Sequence, residues 1–174
     1  MFFRRGPDTD EHAAPASPGA AKPTEAEAHQ AAVVTQVRTL REELAGIVTK
    51  ANADGGRLPA GAVPTVRDID DVLRPLLDYI EARSASEEEM RHLTAIIHDY
   101  LPTALNDFSA LPTQYAERPG VTGTTPADDL LQQLVLLDEG ANDLQDLVYT
   151  GDAAQLAIQA RFLDAKFRRS DLDS

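Results

Sequence analysis

The stretch that decides the fold runs from residue 126 to residue 148 and reads PADDLLQQLVLLDEGANDLQDLV. Thr125, Pro126 and Asp128 form a helix-start signal at its beginning. Apolar side chains then recur at alternating intervals of three and four residues, which predicts one helix face against a core: Ala127, Leu130, Leu134, Leu137, Ala141, Leu144 and Val148. Four more apolar residues widen this face and predict contacts with two neighbouring elements: Leu131, Val135, Leu136 and Leu147.

The same spacing predicts a long amphipathic helix over residues 25–53, whose seam is Val33, Val37, Leu40, Leu44 and Ile47. Thr24 and Glu27 have the three-residue separation of a capping box at its start. Glycines and prolines then predict a loop over residues 54–64. This helix is expected to pack on its own core or to pair with another chain.

Two further helices follow the loop. The first begins after Pro64 and has an apolar seam in which Pro75 predicts a kink or break near Leu73. Ser86 and Glu89 form a capping box for the second, which Pro102 interrupts and Pro112 closes.

A break is predicted at Thr150-Gly151-Asp152, followed by a last helix with a 3-4 seam at Ala153, Leu156, Ala160, Leu163 and Phe167. So short a connection predicts an antiparallel helical hairpin over residues 126–168. Charge supports the pairing: residues 119–160 contain seven acids and no Lys or Arg, whereas residues 161–169 contain four bases and one acid. In the hairpin Asp128 and Asp129 would face Arg168 and Arg169.

The predicted fold class is all-α. We expect an antiparallel helical bundle of about five helices, with a core over residues 65–170 and the hairpin at its carboxy-terminal side. Residues 1–24 hold four of the eleven prolines and few apolar side chains, which predicts a disordered N-terminal tail.

Composition narrows the function classes. The 174 residues carry a net charge of −13, which argues against a nucleic-acid surface. Without cysteine there is no disulfide framework and no thiolate metal site. No apolar run is long enough to cross a membrane, and Gly6, Pro7 and Asp8 interrupt the start of a secretory signal. These features predict a cytoplasmic protein.

The search for chemistry predicts no catalytic, cofactor-binding or metal-binding residue. Glu89 and His92 have the E-x-x-H spacing of di-iron helical proteins, but those sites need a second such motif. His98 and Asp99 are adjacent and so point in different directions on a helix. The Gly-Val-Thr-Gly-Thr-Thr stretch at 120–125 lacks the lysine of a phosphate-binding loop and predicts an ordinary interhelical loop.

Two stretches within residues 86–168 resemble segments of known helical proteins. The first is Tyr100-Leu101-Pro102 with Leu111-Pro112, and the second runs from Asp152 to Phe167. They resemble uncharacterised helical proteins of actinobacteria and, more loosely, the helical part of XpaC-type proteins. The XpaC-type resemblance implies a link to phosphate-ester hydrolysis, without any matching catalytic residue.

Regular apolar seams without a convergent polar site predict a non-enzymatic interaction or scaffold protein that acts through helix–helix contacts. Its expected partner is another protein or a second copy, bound through the five seam residues of helix 25–53. Two alternatives stay open. One is a small hydrolase or hydrolase accessory subunit, and the other is a peripheral membrane protein that uses Phe2, Phe3, Arg4 and Arg5.

Overall fold

The computed structural model describes the backbone of residues 23–83 and 85–170, and side chains as far as residue 155. The described residues form helices and no strand, which confirms the all-α class. The elements are α1 (Glu25–Ala53), α2 (Ala62–Glu81), α3 (Glu87–Thr94), a π-helical segment (Ala95–Tyr100), α4 (Leu101–Ala110), α5 (Thr113–Ala116) and α6 (Pro126–Ser170). The predicted tail falls almost wholly on residues 1–22, which lie outside the described residues.

Helix α1 has the bounds that the sequence predicts. The Thr24 hydroxyl accepts a hydrogen bond from the Glu27 amide at 3.3 Å, and the Thr24 amide donates to the Glu27 carboxylate at 2.8 Å. Two amides that the first helical turn leaves without backbone partners are thereby satisfied.

Helix α2 begins earlier than predicted and does not break. Gly61 precedes it with φ of 99°, a conformation that favours glycine. Pro64 lies in the first turn, where its missing N–H has no intrahelical partner to lose. Pro75 lies inside the helix. Of the kink or break predicted near Leu73, the break is absent, since Leu73, Leu76 and Leu77 are fully buried around the proline. Burial of such side chains, at about 1.5–3 kcal/mol each, outweighs the roughly 3 kcal/mol that proline costs a helix.

Helix α3, the π-helical segment and α4 form one continuous rod over residues 87–110, called here the central rod. The predicted capping box is present: the Ser86 hydroxyl accepts from the Glu89 amide at 3.2 Å. The Leu101 amide donates to the Ile96 carbonyl five residues earlier. Proline crowds the carbonyl four residues before it and offers no N–H, so this wider turn allows the rod to continue through Pro102.

The predicted hairpin over 126–168 is wrong, because α6 is one helix through Thr150, Gly151 and Asp152. A glycine costs a helix only about 1 kcal/mol, and no proline follows Pro126. Contacts with α2 hold this turn: the Tyr79 hydroxyl donates to the Asp152 carboxylate at 2.9 Å, and Arg83 Nε lies 2.9 Å from the same oxygen. Asp128 and Arg168 are therefore about 60 Å apart along α6 and cannot pair within one chain.

Four long helical segments surround one core. Helices α1 and α2 run in opposite directions, since Arg38 contacts Glu81 and Arg67 contacts Asn52. Helix α6 is parallel to α2 and antiparallel to the central rod. The central rod is parallel to α1. The largest fully buried side chains come from all four segments: Val37, Leu44, Val66, Ile69, Leu73, Leu76, Leu77, Ile80, Leu93, Ile97, Leu101 and Leu134.

Candidate functional site

An open groove runs between the central rod and α6. We call it the Tyr100 groove, after the side chain that separates its two apolar depressions, of about 510 and 380 Å³. Its lining residues are His92, Ala95, Ile96, Asp99, Tyr100, Thr103 and Ala104 from the rod, and Gln133, Leu136, Leu137, Gly140, Asp143, Leu144 and Leu147 from α6.

Small residues create the depth of this groove. Gly140 has no side chain, and a Cβ built on it would meet no atom within 4 Å. On the rod, Ala95 lines the same depression as Gly140, and Ala104 lines the other one. Because these positions leave space between two packed helices, the buried side chains of Ile96 and Leu144 become the floor of a surface depression.

Large apolar side chains stand exposed along the groove. Tyr100 is 60% exposed, Leu136 58% and Leu147 59%. The prediction that this helix contacts two neighbours is confirmed, because α6 packs on α2 and on the central rod. Of the four residues that widen its apolar face, Leu131 packs against the core, whereas Leu136, Leu147 and Val135, which is 49% exposed, do not. Contiguous exposed apolar area of this kind marks an interaction surface more often than single exposed side chains do.

The rim of the groove is acidic. Asp99 and Asp143 line the two apolar depressions. A smaller depression of about 250 Å³ continues the groove past Ala104 and Gln133, and Asp107 and Asp129 line it. Among the described residues that line these three depressions, none is Lys or Arg. The groove therefore combines apolar contact area with a potential that attracts cations.

The two histidines of the central rod have different surroundings. His98 Nδ1 lies 3.0 Å from the Glu43 carboxylate of α1, so this side chain faces away from its neighbours Asp99 and Tyr100 in the groove. The hydrogen bond to Glu43, and then its charge, raise the pKa of the exposed His98 imidazole. His92 lies at the end of the groove beside Leu147.

The Glu89 of the E-x-x-H motif has a structural role. Its carboxylate accepts from the Ser86 amide at 2.8 Å and from the Arg83 guanidinium at 3.0 Å. Across residues 23–83 and 85–155 no three His, Asp or Glu side chains are placed to hold a metal ion. The 120–125 stretch forms a turn, in which the Gly120 amide donates to the Thr124 carbonyl and Gly123 has φ of 87°.

The seam of helix α1, predicted to bind a partner, is covered by the chain itself. Val33, Val37, Leu40 and Leu44 are at most 4% exposed, and Ile47 packs against the same core. Helix α1 thus packs on its own core, and its seam offers no free surface in this structure. Phe2, Phe3, Arg4 and Arg5, predicted to touch a membrane, lie outside the described residues. No helix in the described part of the chain has the length and apolar character needed to span a bilayer.

The groove was not predicted as a site. Its signal in the sequence was the excess width of the apolar face around Leu134, because a helix with a single neighbour needs only one seam. Comparisons of the chain with protein-family models, with curated proteins and with solved structures gave no match.

Proposed function

We propose that this all-helical chain is a non-enzymatic interaction protein, a helical bundle that binds an amphipathic basic helix in the Tyr100 groove. The single observation that carries the proposal is the set of large exposed apolar side chains along the groove, in which Leu136 and Leu147 each line one depression and Tyr100 lines both. Helix binding in a groove uses such anchors at spacings of three, four and seven residues.

Charge defines the partner further. The four aspartates of the groove lie at its rim, and the whole chain carries −13. Rim charges of one sign speed the encounter with a partner of the opposite sign and reject partners of the same sign. The favoured ligand is therefore a helix with an apolar stripe and flanking Lys or Arg.

The test uses two synthetic fluorescent helices with the same leucine stripe. One carries lysine and the other glutamate at the remaining positions. The full chain is titrated into each peptide, and fluorescence anisotropy reports binding. We expect the lysine peptide to bind and the glutamate peptide not to bind.

Gly140→Leu fills the floor of the groove without changing the charge of the protein, so we expect it to weaken binding of the lysine peptide at least tenfold. The matched control is Gly46→Leu, because Gly46 is also a helical glycine with open space at its Cβ but lines a different depression, beside Glu43 and Lys50. Equal affinity of both variants for the lysine peptide would show attraction by net charge alone and would reject the proposal.

A further inference from the structure

The carboxy-terminal part of α6 supplies a helix of the chemistry that the groove favours. Helix α6 passes Tyr79 and Arg83 at Asp152, beside the end of α2. It then continues as helix to Ser170. We call residues 153–170 the α6 extension. At 1.5 Å per residue it reaches about 27 Å beyond that contact.

The sequence of the extension is basic and amphipathic. Residues 161–169 contain Arg161, Lys166, Arg168 and Arg169 against the single acid Asp164. Apolar residues recur at 3-4 spacing from Ala153 to Phe167, which is the pattern of an anchor stripe in helix-in-groove binding. The extension therefore matches both requirements of the proposed ligand.

The extension cannot occupy the groove of its own chain. The α6 wall of that groove, from Gln133 to Leu147, and the extension belong to one uninterrupted helix. The extension therefore leads away from the groove, and only another molecule can place an equivalent helix there.

We propose that the Tyr100 groove binds the α6 extension of a second copy of this chain. The two surfaces match in length: the wall from Gln133 to Leu147 and the stripe from Ala153 to Phe167 each span fourteen residue steps, about 21 Å of helix. This inference depends on the proposed function, because it names the helix that the groove binds.

Charge selects the direction of the bound extension. Antiparallel to the α6 of its host, the extension brings Phe167 to the Gln133 end of the groove. Arg168 and Arg169 then lie beside Asp107 and Asp129, the two acids of the third depression. The attraction between acids and arginines that the predicted hairpin placed within one chain then acts between two chains. A reciprocal exchange fills both grooves and closes a two-fold dimer.

Sedimentation velocity on the full chain tests this inference over a range of concentrations and at low and high salt. We expect a monomer–dimer equilibrium that moves toward monomer as salt rises, because the rim pairs are screened. Gly140→Leu should shift it at least tenfold toward monomer, and Gly46→Leu should leave it unchanged. A monomer at every concentration overturns the inference, and so does a dimer that Gly140→Leu leaves unchanged.

A charge exchange tests the direction. We expect the double variant Arg168→Glu/Arg169→Glu and the double variant Asp107→Arg/Asp129→Arg each to be monomeric, and an equimolar mixture to form a heterodimer. If the mixture stays monomeric while the wild type dimerises, the assigned pairing is wrong. The lysine peptide is an independent readout. Peptide binding by a monomeric wild-type chain would reject only the second-copy ligand. Failure of the peptide to bind the Arg168→Glu/Arg169→Glu variant, whose groove is unchanged and unoccupied, would reject the proposed function itself.

Discussion

At the scale of single residues, His98 shows how one hydrogen bond changes an exposed titratable group. Its Nδ1 lies 3.0 Å from the Glu43 carboxylate, and Asp99 adds a smaller favourable charge. Both stabilise the imidazolium, so the pKa lies above the ordinary value of 6.5.

The sign of the pH effect follows from this shift. Below 6.5 the pair contributes its full stabilisation, since His98 is protonated in the folded and the unfolded chain alike. The contribution disappears as the pH rises through the raised pKa of the folded state. We therefore expect His98→Gln to lower the melting temperature more at about pH 5.5 than at about pH 8.5.

An NMR titration of the histidine ring protons measures the pKa directly. We expect Glu43→Gln to lower the His98 pKa towards its ordinary value, because the hydrogen bond and the charge of Glu43 are its main causes. A His98 pKa that does not respond to Glu43→Gln would show that the pair is absent in solution.

At the scale of elements, a small polar cluster keeps α6 unbroken. Asp152 accepts from the Tyr79 hydroxyl and pairs with Arg83, which also pairs with Glu89 of α3. The hydrogen bond to Asp152 raises the pKa of the Tyr79 phenol. Asp152 thereby connects the middle of α6 to the end of α2, and Arg83 connects this pair to the start of α3.

We expect Asp152→Ala to lower the free energy of unfolding by about 1 kcal/mol, because it removes the hydrogen bond from Tyr79 and the ion pair with the half-buried Arg83. Urea denaturation followed by circular dichroism measures the loss. The matched control is Asp146→Ala, since Asp146 is an exposed acid on the same helix. Equal losses in the two variants would show that the cluster contributes nothing specific.

At the scale of the whole molecule, the four long segments share one core and are expected to unfold together. Leu73 is fully buried inside this core, whereas Leu136 is 58% exposed in the groove. We expect Leu73→Ala to cost about 2–5 kcal/mol of unfolding free energy, through lost burial and the cavity that remains. For Leu136→Ala we expect a change within about 0.5 kcal/mol.

Circular dichroism and tyrosine fluorescence should report the same urea transition for both variants. Tyr79 and Tyr149, whose rings lie 4.9 Å apart, report the α2–α6 contact, while circular dichroism reports helix throughout the chain. Separate transitions would mean that α6 unfolds independently of the rest.

The groove and the exchange of extensions also belong to this scale, because they depend on how whole helices are arranged. Leu136 and Leu147 widen the apolar face beside the seam residues Leu134 and Leu144, and the packing of α6 against its neighbours decided that this wider part stays exposed. The hydrolase and membrane alternatives remain predictions.

The sequence by itself determined the features that depend on nearby residues. Helix α1 starts at Thr24 and α3 at Ser86 because a hydroxyl and a glutamate three residues apart satisfy the first amides of a helix. The 3-4 spacing likewise identified the buried face from Leu130 to Val148, because helix periodicity places those side chains on one side.

The three-dimensional structure decided whether the helix-breaking residues end a helix. Pro75, Pro102 and Gly151 all lie within continuous helical segments, because packing around Leu73, the wider turn before Leu101 and the contacts of Asp152 offset their local cost. The packing around Leu73 and the contacts of Asp152 join residues far apart in the chain, so local propensity does not contain them. Long-range packing likewise buries the seam of α1 in the core. It also leaves open space beside Gly140, where the groove lies.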